Sequence, residues 1–176
     1  MNSFLWENLI RKNKTESSTR KSLKSNILFQ DLGTSELLML EKIINIRNYR
    51  AGETIFRQGE VGVGMYIIVK GNVNIYVEES IPETTEIRNI LVTQLHTDDF
   101  FGDLALVEEN GRRSATAICN EECLLIGFFK PDLIEITQRN PTAGVKILLR
   151  LGEALGIRLK ETTAKITEMK KMKKVQ

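Results

Sequence analysis

The hydrophobic repeat of this chain changes twice. Up to about residue 48 apolar residues recur at helical spacing, from Tyr49 to Phe129 the repeat is close to two, and from Lys130 it returns to about 3.6. The middle region is therefore the constraint that any fold must satisfy. A short strand is expected between the turn glycines of Tyr49–Gly59. Met65–Lys70 is β-branched and aromatic, as strands are. Gly71-Asn72 forms a tight turn, and Val73, Ile75 and Val77 then alternate with Asn72, Asn74 and Tyr76. Residues 79–86, with Pro82 and several acids, read as a loop. Ile87–Leu95 is a further strand, and Thr116–Asn120 pairs with Leu124–Phe129 around Asn120-Glu121-Glu122. Short strands at this spacing, with no helices between them, argue against a parallel α/β sheet and point to an all-β sandwich or barrel.

The ends read as helices. Leu5, Trp6, Leu9 and Ile10 predict a short amphipathic helix over 3–12, and the polar, basic residues 13–24 read as a mobile linker. Ile27-Leu28-Phe29 opens a second apolar segment. Thr34 or Ser35 can cap a helix with Leu37, Leu38, Leu40, Ile43 and Ile44 on its apolar face, ending before Asn48. Pro131 starts a short helix carrying Leu133, Ile134 and Ile136. Asn140-Pro141 ends that helix and begins another over roughly 141–170. At heptad spacing the seam of this last helix reads Val145, Leu148, Gly152, Leu155, Leu159, Thr162, Ile166 and Met169. Two readings stand: a dimer seam, or a helix that packs on its own domain and frays at its Lys-rich end. The implied organisation is an N-terminal helix and linker over 1–26, a β domain with flanking helices over 27–140, and a long helix with a basic tail over 141–176.

Charge narrows the function. Residues 25–159 hold 13 Lys/Arg against 19 Asp/Glu, whereas 11–24 and 160–176 are basic. A basic end can meet nucleic acid or an acidic partner, or simply be a solvated face. The two cysteines, Cys119 and Cys123, lack a zinc spacing, and one histidine, His96, cannot complete a metal set or a catalytic triad. Buried, reduced thiols are the expectation, with a disulfide across the turn as the alternative. Phe4-Leu5-Trp6 with Leu9-Ile10 is too short and interrupted for a signal peptide or membrane span, so a cytoplasmic protein is expected. Gly62-Val63-Gly64 lacks the strand–loop–helix context of a dinucleotide site. No P-loop, His-x-x-x-His or Gly-x-Ser-x-Gly occurs, so neither catalytic residues nor a metal site are expected, and the chain does not read as an enzyme.

Residues 101–117 are different. Gly102 allows close backbone approach, and residues 103–107 can form a short helical turn whose N–H groups face an anion. Arg113 offers parallel donors to phosphate oxygens and Ser114 a hydroxyl. Asp103 fits beside an anion only as an acceptor from a sugar hydroxyl. The alternative is a β-turn closed by an Asp103–Arg113 ion pair.

Phe101-Gly102-Asp103-Leu104-Ala105-Leu106 followed by Arg113-Ser114-Ala115-Thr116 resembles the phosphate-binding cassette of cyclic nucleotide-binding domains. Ala51-Gly52-Glu53-Thr54-Ile55, Gly59-Glu60 and Tyr66–Val73 are similar to that family's β-roll, and the resemblance covers about residues 27–170. It implies a mainly β fold, a double-stranded β-helix or jelly-roll-like roll with N-terminal helices and a long C-terminal helix. It also implies a sensor of a cyclic nucleotide, cyclic AMP before cyclic GMP. The sugar contact would fall on Asp103, where the family usually has Glu, and the phosphate grip on Arg113 rather than Arg112. Gly102, Leu104, Ala105, Ser114 and Ala115 would surround the phosphate. The last helix is similar to the dimer helix of the bacterial cyclic-AMP receptor family, so Thr162 and Thr163 would contact the base; the alternative is two surface threonines. A homodimer through that helix and a protein effector are implied. The chain stops where that family places a helix-turn-helix domain, so direct DNA binding is not expected. A competing expectation is an interaction module that keeps the fold without the nucleotide.

Overall fold

A computed structural model describes residues 16–81 and 87–173. Helix α1 occupies residues 16–25 and α2 spans Thr34–Glu41. Eight strands follow: β1 (Asn45–Tyr49), β2 (Thr54–Phe56), β3 (Gly64–Lys70), β4 (Val73–Ser80), β5 (Ile87–Leu95), β6 (Phe100–Phe101), β7 (Thr116–Cys119) and β8 (Cys123–Phe129). A 3-10 turn, Asp103–Leu106, interrupts them. Helices α3 (Lys130–Arg139) and α4 (Pro141–Lys173) close the chain. The strands form two four-stranded sheets, ordered β1-β8-β3-β6 and β2-β7-β4-β5, and every pair is antiparallel. This is the mainly β roll with flanking helices that the sequence implies.

The two-residue repeat sorts β3 and β8 between two cores. Met65, Ile67, Ile126 and Phe128 face the helices, where they meet Leu23, Leu28, Phe29, Leu40, Leu133, Ile147 and Leu151. Their neighbours Tyr66, Ile68 and Leu125 face the second sheet, with Val73, Phe101 and Ala117. Covered on both faces, β3 reads as a continuous apolar run rather than an alternation.

Four expectations change. Thr116–Asn120 and Leu124–Phe129 do not pair with each other: the turn at Asn120-Glu121-Glu122 carries the chain from one sheet to the other, so that β7 pairs with β2 and β4 while β8 pairs with β1 and β3. The stretch 13–24 is not a linker over the residues described: residues 16–25 are helical, with Leu23 fully buried and Thr19 and Ser22 nearly so. Small hydroxyl side chains let this helix lie close against the core, and Arg20 grips Glu41 with two nitrogens at 2.6 and 2.7 Å. Helix α2 begins one residue early, where Gly33 N–H donates to Glu36 at 2.6 Å and neither Thr34 nor Ser35 is the cap. Strand β1, unforeseen, is exposed along most of its length and is held by its register against β8, Asn45 opposite Gly127 to Tyr49 opposite Cys123. The predicted helix over 3–12 and residues 82–86 of the predicted loop lie outside the described residues; β4 itself runs on to Ser80.

Cys119 and Cys123 are buried free thiols. Burial, and then a hydrogen bond with Cys123, push the Cys119 thiol up to about 12, which suppresses the reactive thiolate. No helix of the described residues is long and apolar enough to cross a membrane.

Candidate functional site

Strand β6 delivers the chain to the site. Phe101 pairs with Tyr66 of β3 and stacks on its ring, centroids 5.7 Å apart. Gly102 then turns the chain with φ +76°, a conformation that L side chains rarely adopt. A Cβ at this position would strike Arg113 Nη1. The following 3-10 turn buries Asp103, Ala105 and Leu106 and leaves Leu104 exposed.

Arg113 returns across this turn. Its Nη1 donates to Gly102 O at 3.1 Å and its Nη2 to Gly64 O at 2.7 Å. The guanidinium lies 4.0 Å above the Phe56 ring. Burial lowers its pKa from the usual arginine value, with Tyr66 and Glu60 opposing, and an arginine remains charged through such a shift. Its Nε is buried and has no hydrogen-bond partner. Arg112 is exposed and donates to Gly59 O at 2.7 Å, at the rim of the same site.

Asp103 is 3% exposed and does not pair with Arg113. Its partner is Arg158 of α4, whose Nη1 donates to Oδ1 at 2.5 Å. Arg158 Nη2 also donates to Phe100 O at 2.8 Å, and its guanidinium stacks 4.3 Å from the Phe100 ring. The second oxygen, Asp103 Oδ2, is buried without a partner.

These groups surround a cavity of about 680 Å³. One wall is Gly102 to Ala105 with Arg113, Ser114 and Ala115. A second is Phe56 with Ile75, Thr93 and Leu95 from β4 and β5. The third is α4, through Leu155, Arg158, Leu159 and Thr162. All the sequence-predicted residues but one are thus brought together. The exception is Thr163, which lines a separate groove along α4 with Leu159 and Thr167. Each threonine hydroxyl donates back along the helix at 2.8 Å, Thr162 to Arg158 O and Thr163 to Leu159 O.

Sequence reasoning missed Arg158 and the strand residues Phe56, Ile75, Thr93 and Leu95. Arg158 carried a usable signal: it lies one helical turn before Thr162, on the same face. Gly64, set aside with its glycine pair, supplies the carbonyl that orients Arg113. Among the described residues, no three His, Cys, Asp or Glu side chains cluster as metal ligands.

A sequence model of the family described as "Cyclic nucleotide-binding domain" matches residues 46–140. The chain is similar to the cAMP-activated global transcriptional regulator Vfr of Pseudomonas aeruginosa, 30% identical over 142 residues, covering 77% of this chain and 62% of that protein. It is also similar to the crystal structure of the Thermus thermophilus catabolite activator protein. That match has a TM-score of 0.67 at 26% identity and covers 82% of this chain and 63% of the other. A cyclic nucleotide-binding domain from Methylobacillus flagellatus shares the fold, with a TM-score of 0.71 at 19% identity, covering 88% and 83%. The chain spans less than two thirds of the length of the Pseudomonas regulator and of the Thermus protein.

Proposed function

The chain belongs to the cyclic nucleotide-binding domain family, and we propose that it is a regulatory sensor that takes cyclic AMP between its 3-10 turn and α4. The observation that carries this reading is a pair of buried, unsatisfied atoms on two residues that line one cavity. Arg113 Nε is a charged donor without an acceptor, and Asp103 Oδ2 is an acceptor without a donor. An unpaired buried polar group costs about 1–3 kcal/mol, more if charged, so two in one cavity call for a ligand. A cyclic phosphate supplies an anionic acceptor and a ribose 2′-hydroxyl supplies a donor.

The rest of the cavity suits a purine. Ile75, Leu95, Leu155 and Leu159 offer apolar surface, and the hydroxyls of Thr93 and Thr162 are the polar groups among them. Thr162 spends its proton on Arg158 O, so its oxygen faces a ligand as an acceptor. An acceptor matches the amino group of adenine. Guanine also carries N1 and N2 donors, and among the described residues the strand and helix walls offer them only the hydroxyls of Thr93 and Thr162, the carboxylates of the lining being Asp103 and Glu108 of the turn and the loop after it. This favours cyclic AMP over cyclic GMP.

Ligand that touches both the turn and α4 favours the arrangement in which both are in place, so signalling is a population shift of α4. Beyond the roll, α4 exposes Leu159, Ile166 and Met172, and nearer its start Leu148 and Leu149. We assign this surface to a second copy of the chain, beside which Thr163 would lie, and the output to a protein effector rather than to catalysis or direct DNA contact. A cytoplasmic location follows from that reading. A second reading has its own support: Arg158 already occupies one oxygen of Asp103, as it would in a roll kept for protein interaction alone.

Calorimetry on the full chain separates the two. Cyclic AMP is expected to bind one per chain and more tightly than cyclic GMP or cyclic di-GMP. At 100-fold excess over Kd it would stabilise the native state by about 2.7 kcal/mol. Absence of heat and of any melting shift at high micromolar cyclic AMP would leave the interaction module as the surviving account.

A further inference from the structure

The cavity suits an anion, yet its lining holds an acid without a partner. Five of the lining side chains are charged: Asp103, Glu108, Arg112, Arg113 and Arg158. Asp103 and Arg158 pair with each other. Among the described residues no Lys or Arg forms an ion pair with Glu108. Two cations, Arg112 and Arg113, therefore stand against one free acid, a balance of one positive charge. A cyclic phosphate carries one negative charge.

The loop that carries Glu108 is fixed at both ends. Glu108 N–H donates to Leu104 O of the 3-10 turn at 2.9 Å, and Glu108 O accepts from Lys130 Nζ at 3.0 Å. Asn110 turns the chain with φ +56°, a left-handed conformation that Asn tolerates. Gly111 O then accepts from Gly62 N–H at 2.9 Å. A Cβ at Gly111 would strike Glu108 Oε2 and would lie 2.7 Å from Glu108 Cβ. Glycine at 111 is thus what lets the Glu108 side chain lie back over its own loop, among the residues that line the cavity.

Water opens cyclic AMP to 5′-AMP, a competitor with the same base and the same 2′-hydroxyl that differs at the phosphate end. Near neutral pH the cyclic diester is a monoanion, whereas the open monoester carries close to two charges. The apolar walls and Asp103 meet both compounds alike. Arg113 does not: a cation attracts the dianion more strongly, which favours the wrong ligand. A fixed acid in the lining reverses that bias and lowers the affinity for both, as repulsive elements in specific sites do.

We propose that Glu108 selects the ligand by charge, admitting the cyclic phosphate monoanion and rejecting the open monophosphate dianion. The inference rests on the sensor reading of the cavity.

The test is calorimetry on the full chain at about pH 8, where 5′-AMP is a dianion. Glu108→Gln removes the charge and keeps the shape that rests against Gly111. Its affinity for cyclic AMP is expected to rise roughly two- to fivefold and its affinity for 5′-AMP by roughly the square of that factor, so the preference narrows by roughly two- to fivefold. The methyl ester of 5′-AMP, an open phosphate with one charge, should gain only as cyclic AMP does. Salt at about 1 M, with a Debye length of about 3 Å, should erase most of these gains. Glu109→Gln is the control, since Glu109 is exposed and outside the lining. A preference left unaltered by Glu108→Gln, or altered equally by Glu109→Gln, overturns the selector while leaving the sensor reading in place. A native chain that takes up neither nucleotide overturns the sensor reading, and the selector with it.

Discussion

Arg113→Ala should weaken cyclic AMP binding by about 2–3 kcal/mol or more, roughly 30- to 150-fold, as expected for the loss of a charge-assisted contact. The effect is large because Arg113 is a buried cation whose other donors are already engaged. Gly102 O and Gly64 O fix two of its nitrogens, Phe56 supports its plane, and Nε is left for a ligand. Alanine removes the charge that would face a phosphate and also releases the two carbonyls, so the melting temperature is expected to fall as well. Arg113→Lys separates the terms. A lysine restores the charge but cannot hold both carbonyls and still present a third donor in one plane, so it should recover only part of the affinity. Calorimetry on both variants reads this directly. An Arg113→Ala protein that binds as before would place the phosphate grip elsewhere.

The largest effect on stability is expected at Phe29 and Phe128. Their rings meet edge to face, centroids 5.4 Å apart at 89°, and both residues are fully buried. Phe29 belongs to the segment between α1 and α2, and Phe128 to β8, so the contact fastens the N-terminal helices to the roll. Truncating either ring to alanine should cost about 3–5 kcal/mol through lost transfer free energy and the cavity left behind. For a domain of this size that is a drop of roughly 6–20 °C in melting temperature. Ile46→Ala on the exposed β1 is the control, since a surface change of this kind stays within about 0.5 kcal/mol. Thermal denaturation followed by circular dichroism decides it. A Phe29→Ala protein that melts with the control would mean that residues 16–41 are not part of the cooperative unit.

The strands were legible wherever packing imposes a period. Met65–Lys70 and Val73–Val77 show the β-branched or alternating composition that a sheet in contact with a core selects, whereas Ile87–Leu95 is exposed up to Leu95 and was legible from its residue types alone. Strand β1 has no such pattern, because its pairing with β8 is backbone work that almost any side chain permits. Helix α1 was hidden for the opposite reason. Its buried face is made of Thr19, Ser22 and Leu23, and two of those three are residues typical of loops.

At the site, the parts close in sequence were readable. Gly102, Asp103 and Arg113 lie within one turn and one loop, and their residue types carry the chemistry. Arg158 stands 55 residues from the acid it holds, and only the fold reveals the meeting. That contact also removes the Asp103–Arg113 pairing that the sequence left open. Thr162 and Thr163 look equivalent in sequence, yet adjacent helix positions diverge by about 100°, and only Thr162 faces the cavity.

The most direct test of the central claim is a crystal structure of the full chain grown with saturating cyclic AMP. The account predicts the cyclic phosphate within about 3.2 Å of Arg113 nitrogens, the ribose 2′-hydroxyl on Asp103 Oδ2, and the adenine beside Thr162. An empty cavity, or a nucleotide bound elsewhere with Arg113 Nε and Asp103 Oδ2 still unpartnered, would contradict it.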